Sequence, residues 1–118
     1  MRRQLLALIL AAGLIGGVAA QPAEAATVVK GVLTSHGYRW RPNAVSIARG
    51  GKVVWKAVNS NHTVTAYGGN WSKDTTINQG QSTSKTFNNA GVYKFRCRFH
   101  STLVNGVCSG MCGKVTVG

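Results

Sequence analysis

Two imidazoles, a thiol and a thioether stand where they could share one ion: His62, then Cys97-Arg98-Phe99-His100, then Met111. Soft sulfur donors favour Cu(I), while imidazole serves both copper oxidation states. A trigonal His₂Cys arrangement with a weak axial Met therefore holds either state with little rearrangement. Each residue alone is ordinary. A His at a strand start is commonly a plain polar side chain, a lone Cys a small buried hydrophobe and a Met a gap filler. The conjunction of His62, Cys97, His100 and Met111 carries the metal reading, and His36 reads as a surface residue.

Placing these side chains is a task for strands. The chain breaks into short runs rich in β-branched and aromatic residues, separated by Gly, Asn and Ser, with no helical period. Strands are expected at Thr27–Leu33, Ala44–Ala48, Lys52–Val58, His62–Tyr67, Ser82–Phe87, Gly91–Arg98 and Gly113–Val117. Ser82–Phe87 and Gly91–Arg98 are expected to pair across Asn88-Asn89-Ala90-Gly91. Residues 68–81 are polar and irregular, and predict a long surface excursion with a single helical turn. Many short strands with regular turn signals predict an all-β, antiparallel sandwich or barrel. Alternation within Gly91–Arg98 puts Tyr93, Phe95 and Cys97 on one face and Lys94, Arg96 and Arg98 on the other. Cys97 should then point inward at a strand end, shielded from solvent.

The first 25 residues read as a secretory signal peptide. Arg2 and Arg3 precede the uncharged, mostly apolar run Leu5–Ala20, and cleavage is expected after Ala20 or Ala25. That run is short for a membrane span, which needs about 20 apolar residues, so no transmembrane segment is expected in the mature form. An uncleaved N-terminal anchor is the alternative. Residues 26–118 then make one small domain, exported to the periplasm or to the cell exterior and surface. Export permits a disulfide. The 14 Lys+Arg face only 2 Asp+Glu, for a formal net charge of +12. Such a chain is attracted to acidic surfaces: a partner protein or an anionic envelope. Export and the dispersed basic residues argue against nucleic acid. Plain solubility would explain the charge equally well.

Four stretches in order resemble the cupredoxins of the plastocyanin/azurin type. They are Tyr38-x-Trp40-x-Pro42-x-x-Val45-x-Ile47; Gly51-Lys-Val-Val-Trp-Lys56 with Asn61-His62-Thr-Val-Thr65; Ile77-x-x-Gly80 with Phe87-x-x-x-Gly91-x-Tyr93-x-Phe95-x-Cys97-x-x-His100; and Gly110-Met111-Cys112-Gly113-Lys-Val-Thr-Val117. The resemblance implies a Greek-key β-sandwich or barrel over residues 26–118. It also implies one copper ion held by His62, Cys97 and His100 as equatorial ligands and Met111 as the axial one. It implies a hairpin that delivers Cys97 and His100, and an electron port at the His100 edge, with Leu103 and Val104 in the apolar patch around it. Plastocyanins place few residues between the second His and the Met, whereas ten, Ser101 to Gly110, stand here. With Cys97 given to the metal by the resemblance, Cys108 and Cys112 are left to pair with each other. Pairing of Cys97 with either stays open, and would destroy the copper site.

The expected function is that of an exported blue copper protein, not an enzyme: a monomer passing one electron at a time between redox partners, with an acidic partner docking on its basic face. Two other readings use different logic. One is a copper-sequestering or delivery protein with no electron-transfer role; the other is a metal-free cationic module that binds the envelope. A binuclear copper centre would need a His and a Met after Cys112, and neither is present. Zinc lacks paired finger spacing, and nucleophilic Cys-His catalysis lacks support beyond Asn105. Two glycosylation sequons, at Asn61 and Asn70, are read as fortuitous.

Overall fold

Residues 25–118 are described by the computed structural model of the chain, so the expected signal peptide lies, but for Ala25, outside the described residues. The strands in chain order are β1 (Thr27–Thr34), β2 (Gly37–Arg41), β3 (Ala44–Ile47), β4 (Gly51–Ala57), β5 (His62–Tyr67), β6 (Asp74–Ile77), β7 (Ser82–Phe87), β8 (Gly91–Val104) and β9 (Val107–Val117). They form two facing sheets, one in the order β2-β1-β4-β7 and the other β3-β9-β8-β5-β6. Most strands turn alternate side chains to the interface between the sheets, as the pleat requires. In β4, Val53, Trp55 and Ala57 are buried while Lys52 and Lys56 face water. Trp40, Trp55 and Phe95 fill the centre, with the Phe95 ring meeting Trp55 edge-on at 5.3 Å and Trp40 at 6.0 Å. Each such side chain contributes about 1.5–3 kcal/mol of burial.

Several expectations are corrected. β7 and β8 do not pair: β7 adds to β4, whereas β8 lies between β5 and β9 in the other sheet. Both strands carry apolar residues on the inward face, so they oppose each other across the core, with Phe87 and Tyr93 rings 4.8 Å apart. The sheets are also mixed, because β1 pairs with β4 and β3 with β9 in parallel. Within residues 68–81 there is no helical turn; Asp74–Ile77 instead pairs with β5 as an edge strand. β2, which holds Tyr38 and Trp40, is a further strand that the sequence pattern does not separate from its turn.

The ten-residue stretch after His100 is the largest departure. β8 and β9 continue past the site as a two-stranded ribbon whose tip is Asn105-Gly106. Both tip residues have positive φ, 51° and 77°, the conformation of a two-residue hairpin turn, for which Asn-Gly is the favoured pair. Cys97 is therefore not at a strand end but inside a long strand.

Candidate metal centre

Cys97 and His100 are three apart, and in a regular strand residues at that spacing point to opposite faces. A bulge removes the conflict. Between the pairs Arg96↔Cys112 and Ser101↔Gly110, the four residues Cys97–His100 of β8 stand opposite Met111 alone. The extra residues bend β8 so that the Cys97 thiol and the His100 ring converge. Ser101 Oγ donates to the Cys97 carbonyl, and Arg96 Nη1 donates to Ser101 Oγ at 3.0 Å, closing the bulge.

His62 enters from the first residue of β5, in the same sheet as β8. His62 Nδ1, His100 Nδ1 and Cys97 Sγ form a triangle with sides 3.2, 3.5 and 3.7 Å. The circumcentre of that triangle lies about 2.0 Å from each corner, the bonding distance of a transition-metal ion to an imidazole nitrogen. The donor types and their spacing thus fit a copper ion. His62 and Cys97 are fully buried, and His100 is half-exposed.

The second ring nitrogen of His62 is already committed. His62 Nε2–H donates to the Asn59 carbonyl, leaving the Nδ1 lone pair turned into the triangle. Asn59 is pinned in turn: its amide donates to the Gly31 carbonyl at 3.1 Å, and its Oδ1 accepts from the Leu33 amide at 3.0 Å. Burial holds His62 below the ordinary imidazole range; the bond to Asn59 opposes this, and nearby His100 adds to it. Burial lowers His100 likewise. Both rings are therefore neutral near pH 7, the form that binds metal. On the sulfur side, the Thr63 amide donates to Cys97 Sγ at 3.3 Å, which fixes where the sulfur sits.

Met111 is fully buried next to the triangle. A Cβ placed on Gly31 would lie 3.0 Å from both Met111 Cε and His62 Nε2, so the bare glycine backbone is what lets the thioether and the ring sit side by side. Tyr38 covers the cluster from β2, its ring 4.3 Å from that of His100 and 5.4 Å from that of His62. Cys108 and Cys112 form a disulfide and Cys97 is free. His36 is exposed in the β1–β2 turn, is not one of the converging donors, and has its ring beside Ser35 Oγ. Asn59, Gly31 and Thr63 are not singled out by the sequence. The Asn-Ser-Asn break before His62 is the visible signal for the first, and nothing local marks the other two.

The sequence profile of copper binding proteins of the plastocyanin/azurin family matches residues 26–118, and the chain belongs to that family. Its cofactor is copper. Among solved structures, a point mutant of amicyanin in its reduced Cu(I) form at pH 4 superposes with a TM-score of 0.62 at 24% identity, covering 81% of this chain and 85% of that one. A purple cupredoxin from Nitrosopumilus maritimus gives 0.59 at 21% identity, covering 78% of this chain and 99% of the other. A copper-containing nitrite reductase from Thermus scotoductus gives 0.65 at 18% identity, covering 88% of this chain but 25% of the enzyme. These likenesses concern the cupredoxin fold. No curated protein sequence matches the chain.

Proposed function

We propose that the chain is an exported electron carrier rather than an enzyme, and that it holds one copper ion on His62, Cys97 and His100, with Met111 as the axial donor. The observation that supports this best is the meeting of two Nδ1 atoms and one Sγ, all within 4.8 Å of one another. Bound there, copper supplies a one-electron couple, and the protein's part is to keep the donors still while it cycles. His62 is fixed by Asn59, Cys97 by the Thr63 amide, and the bulge by Ser101. A cage held from outside the ligand set changes little between oxidation states, which keeps electron transfer fast.

The half-exposed His100 ring is the electron port in this reading. Its neighbours Phe99 and, along the ribbon, Leu103, Val104 and Val107 are exposed apolar side chains that can exclude water from a docked partner. Among the described residues, Asp74 is the one acidic side chain, so the rest of the surface charge is basic and favours an acidic partner. No helix among the described residues is long and apolar enough to cross a membrane.

The test is a visible absorption spectrum of the domain 26–118 titrated with Cu(II), alongside Cys97→Ser. An intense thiolate-to-copper band that saturates at one equivalent and is lost in the variant is expected. A colourless titration of protein with a free Cys97 would overturn the site.

A further inference from the structure

The Cys108–Cys112 disulfide encloses Ser109, Gly110 and Met111. Residues four apart in an extended strand are separated by about 13 Å, yet these two Cα atoms stand 6.2 Å apart. β9 is folded sharply inside the cross-link. The fold falls at Gly110, whose φ is 99° and whose backbone presses on β8 so closely that a Cβ there would come within 2.6 Å of the His100 carbonyl oxygen. On the inner side of this turn sits Met111, buried against Gly31 and His62. On its outer side the ribbon runs to a tip where Val104 and Val107 are about two-thirds exposed. Little packing therefore restrains the ribbon beyond the turn.

A cross-link across so short a span removes less freedom from the unfolded chain than one that closes a long loop, because the entropic effect grows with the length of the closed loop. Global stabilisation alone does not account for a bond that brackets Met111. We propose that Cys108 and Cys112 are a positioning pair for Met111: their bond holds the Gly110 turn closed and so fixes where the thioether lies relative to the His62–Cys97–His100 triangle. This rests on the reading of Met111 as the axial donor. Cys108 and Cys112 touch no metal themselves and act through the residue between them.

The experiment compares the wild type, Cys108→Ala/Cys112→Ala, Met111→Leu, and the triple variant. In copper-free protein, the Met111 ε-methyl NMR resonance should be displaced by the neighbouring His62 ring, and should move toward the free-methionine position in the double cysteine variant. In copper-loaded protein, that variant should shift the reduction potential and the visible band ratio in the direction set by Met111→Leu, and the triple variant should go no further than Met111→Leu alone. A cysteine variant with a lowered unfolding midpoint but an unmoved methyl resonance, potential and spectrum would make the disulfide a mere staple. If Met111→Leu leaves both potential and spectrum unchanged, the axial reading fails instead, whatever the methyl resonance does. Should the cysteine variant not fold, a variant with one glycine inserted after Ser109 and the disulfide kept serves the same purpose. An unmoved methyl resonance and spectrum there would overturn the proposal.

Discussion

Thr63 is bonded to Cys97 and to the residue after it at once: its amide donates to Cys97 Sγ at 3.3 Å, and its Oγ1 accepts from the Arg98 amide at 2.8 Å. These two bonds tie β5 to β8 where regular pairing between them has ended. Thr63→Val keeps the shape and the amide but removes the acceptor. The variant should lose about 1–3 kcal/mol of stability through the unpartnered Arg98 amide, read by urea unfolding of the copper-free protein. The thiolate-to-copper band should stay, since the bond to sulfur comes from the backbone.

Gly31 is the close-approach point of the site. An added Cβ would stand 2.7 Å from His62 Cδ2 and 3.0 Å from both His62 Nε2 and Met111 Cε, so Gly31→Ala must displace one of them. Overpacking of this kind costs about 1–3 kcal/mol. Copper affinity should fall as well, measured by competition with a chelator. Unaltered affinity would show that the ring and the thioether move aside without loss.

Asp74 accepts hydrogen bonds from Thr65 Oγ1 at 2.8 Å and Arg98 Nε at 3.0 Å. The bond from Thr65, then that from Arg98, holds its carboxyl below the ordinary aspartate range. A folded-state value below the unfolded one means that the contribution is fully present above about pH 4 and is lost as pH falls through the folded value. The unfolding midpoints of wild type and Asp74→Asn should differ at neutral pH and converge in acid. The carboxylate is exposed, so the difference should be small and should shrink with salt.

Basic surface charge makes a further expectation about rate. If an acidic partner is steered to the His100 end, the bimolecular electron-transfer rate should fall steeply as ionic strength rises, because screening shortens the reach of the attraction. Stopped-flow mixing with an acidic redox protein reads this directly. A rate independent of salt would remove steering and leave the apolar patch as the docking determinant.

Much of the fold is open to a reader of the chain. Strict alternation in Gly91–Arg98 predicts the inward Cys97, and β5 and β7 begin and end as their patterns indicate. The ribbon has a local mark too, since Val104-Asn105-Gly106-Val107 is a two-residue hairpin signal, but it stands inside a stretch that otherwise reads as an enlarged ligand loop. Other features have none. Phe87 and Tyr93 carry the same inward pattern whether their strands are paired or opposed, so alternation does not distinguish a hairpin from a crossing between sheets. β6 is a polar edge strand, and only its pairing with β5 makes Asp74–Ile77 a strand.

By itself the sequence determined the donor chemistry, because side-chain identity sets which ions a site can prefer, and it determined the all-β class, because period-two burial follows from residue type. The tertiary structure alone decided that the donors meet. Cys97 and His100 point together only because four residues of β8 bulge opposite Met111, and that mismatch exists only between two paired strands. His62 is oriented by Asn59, which is itself held by β1 across the other sheet. Bonds and close approaches between residues far apart in the chain depend on register and packing, and neither is written in any single segment.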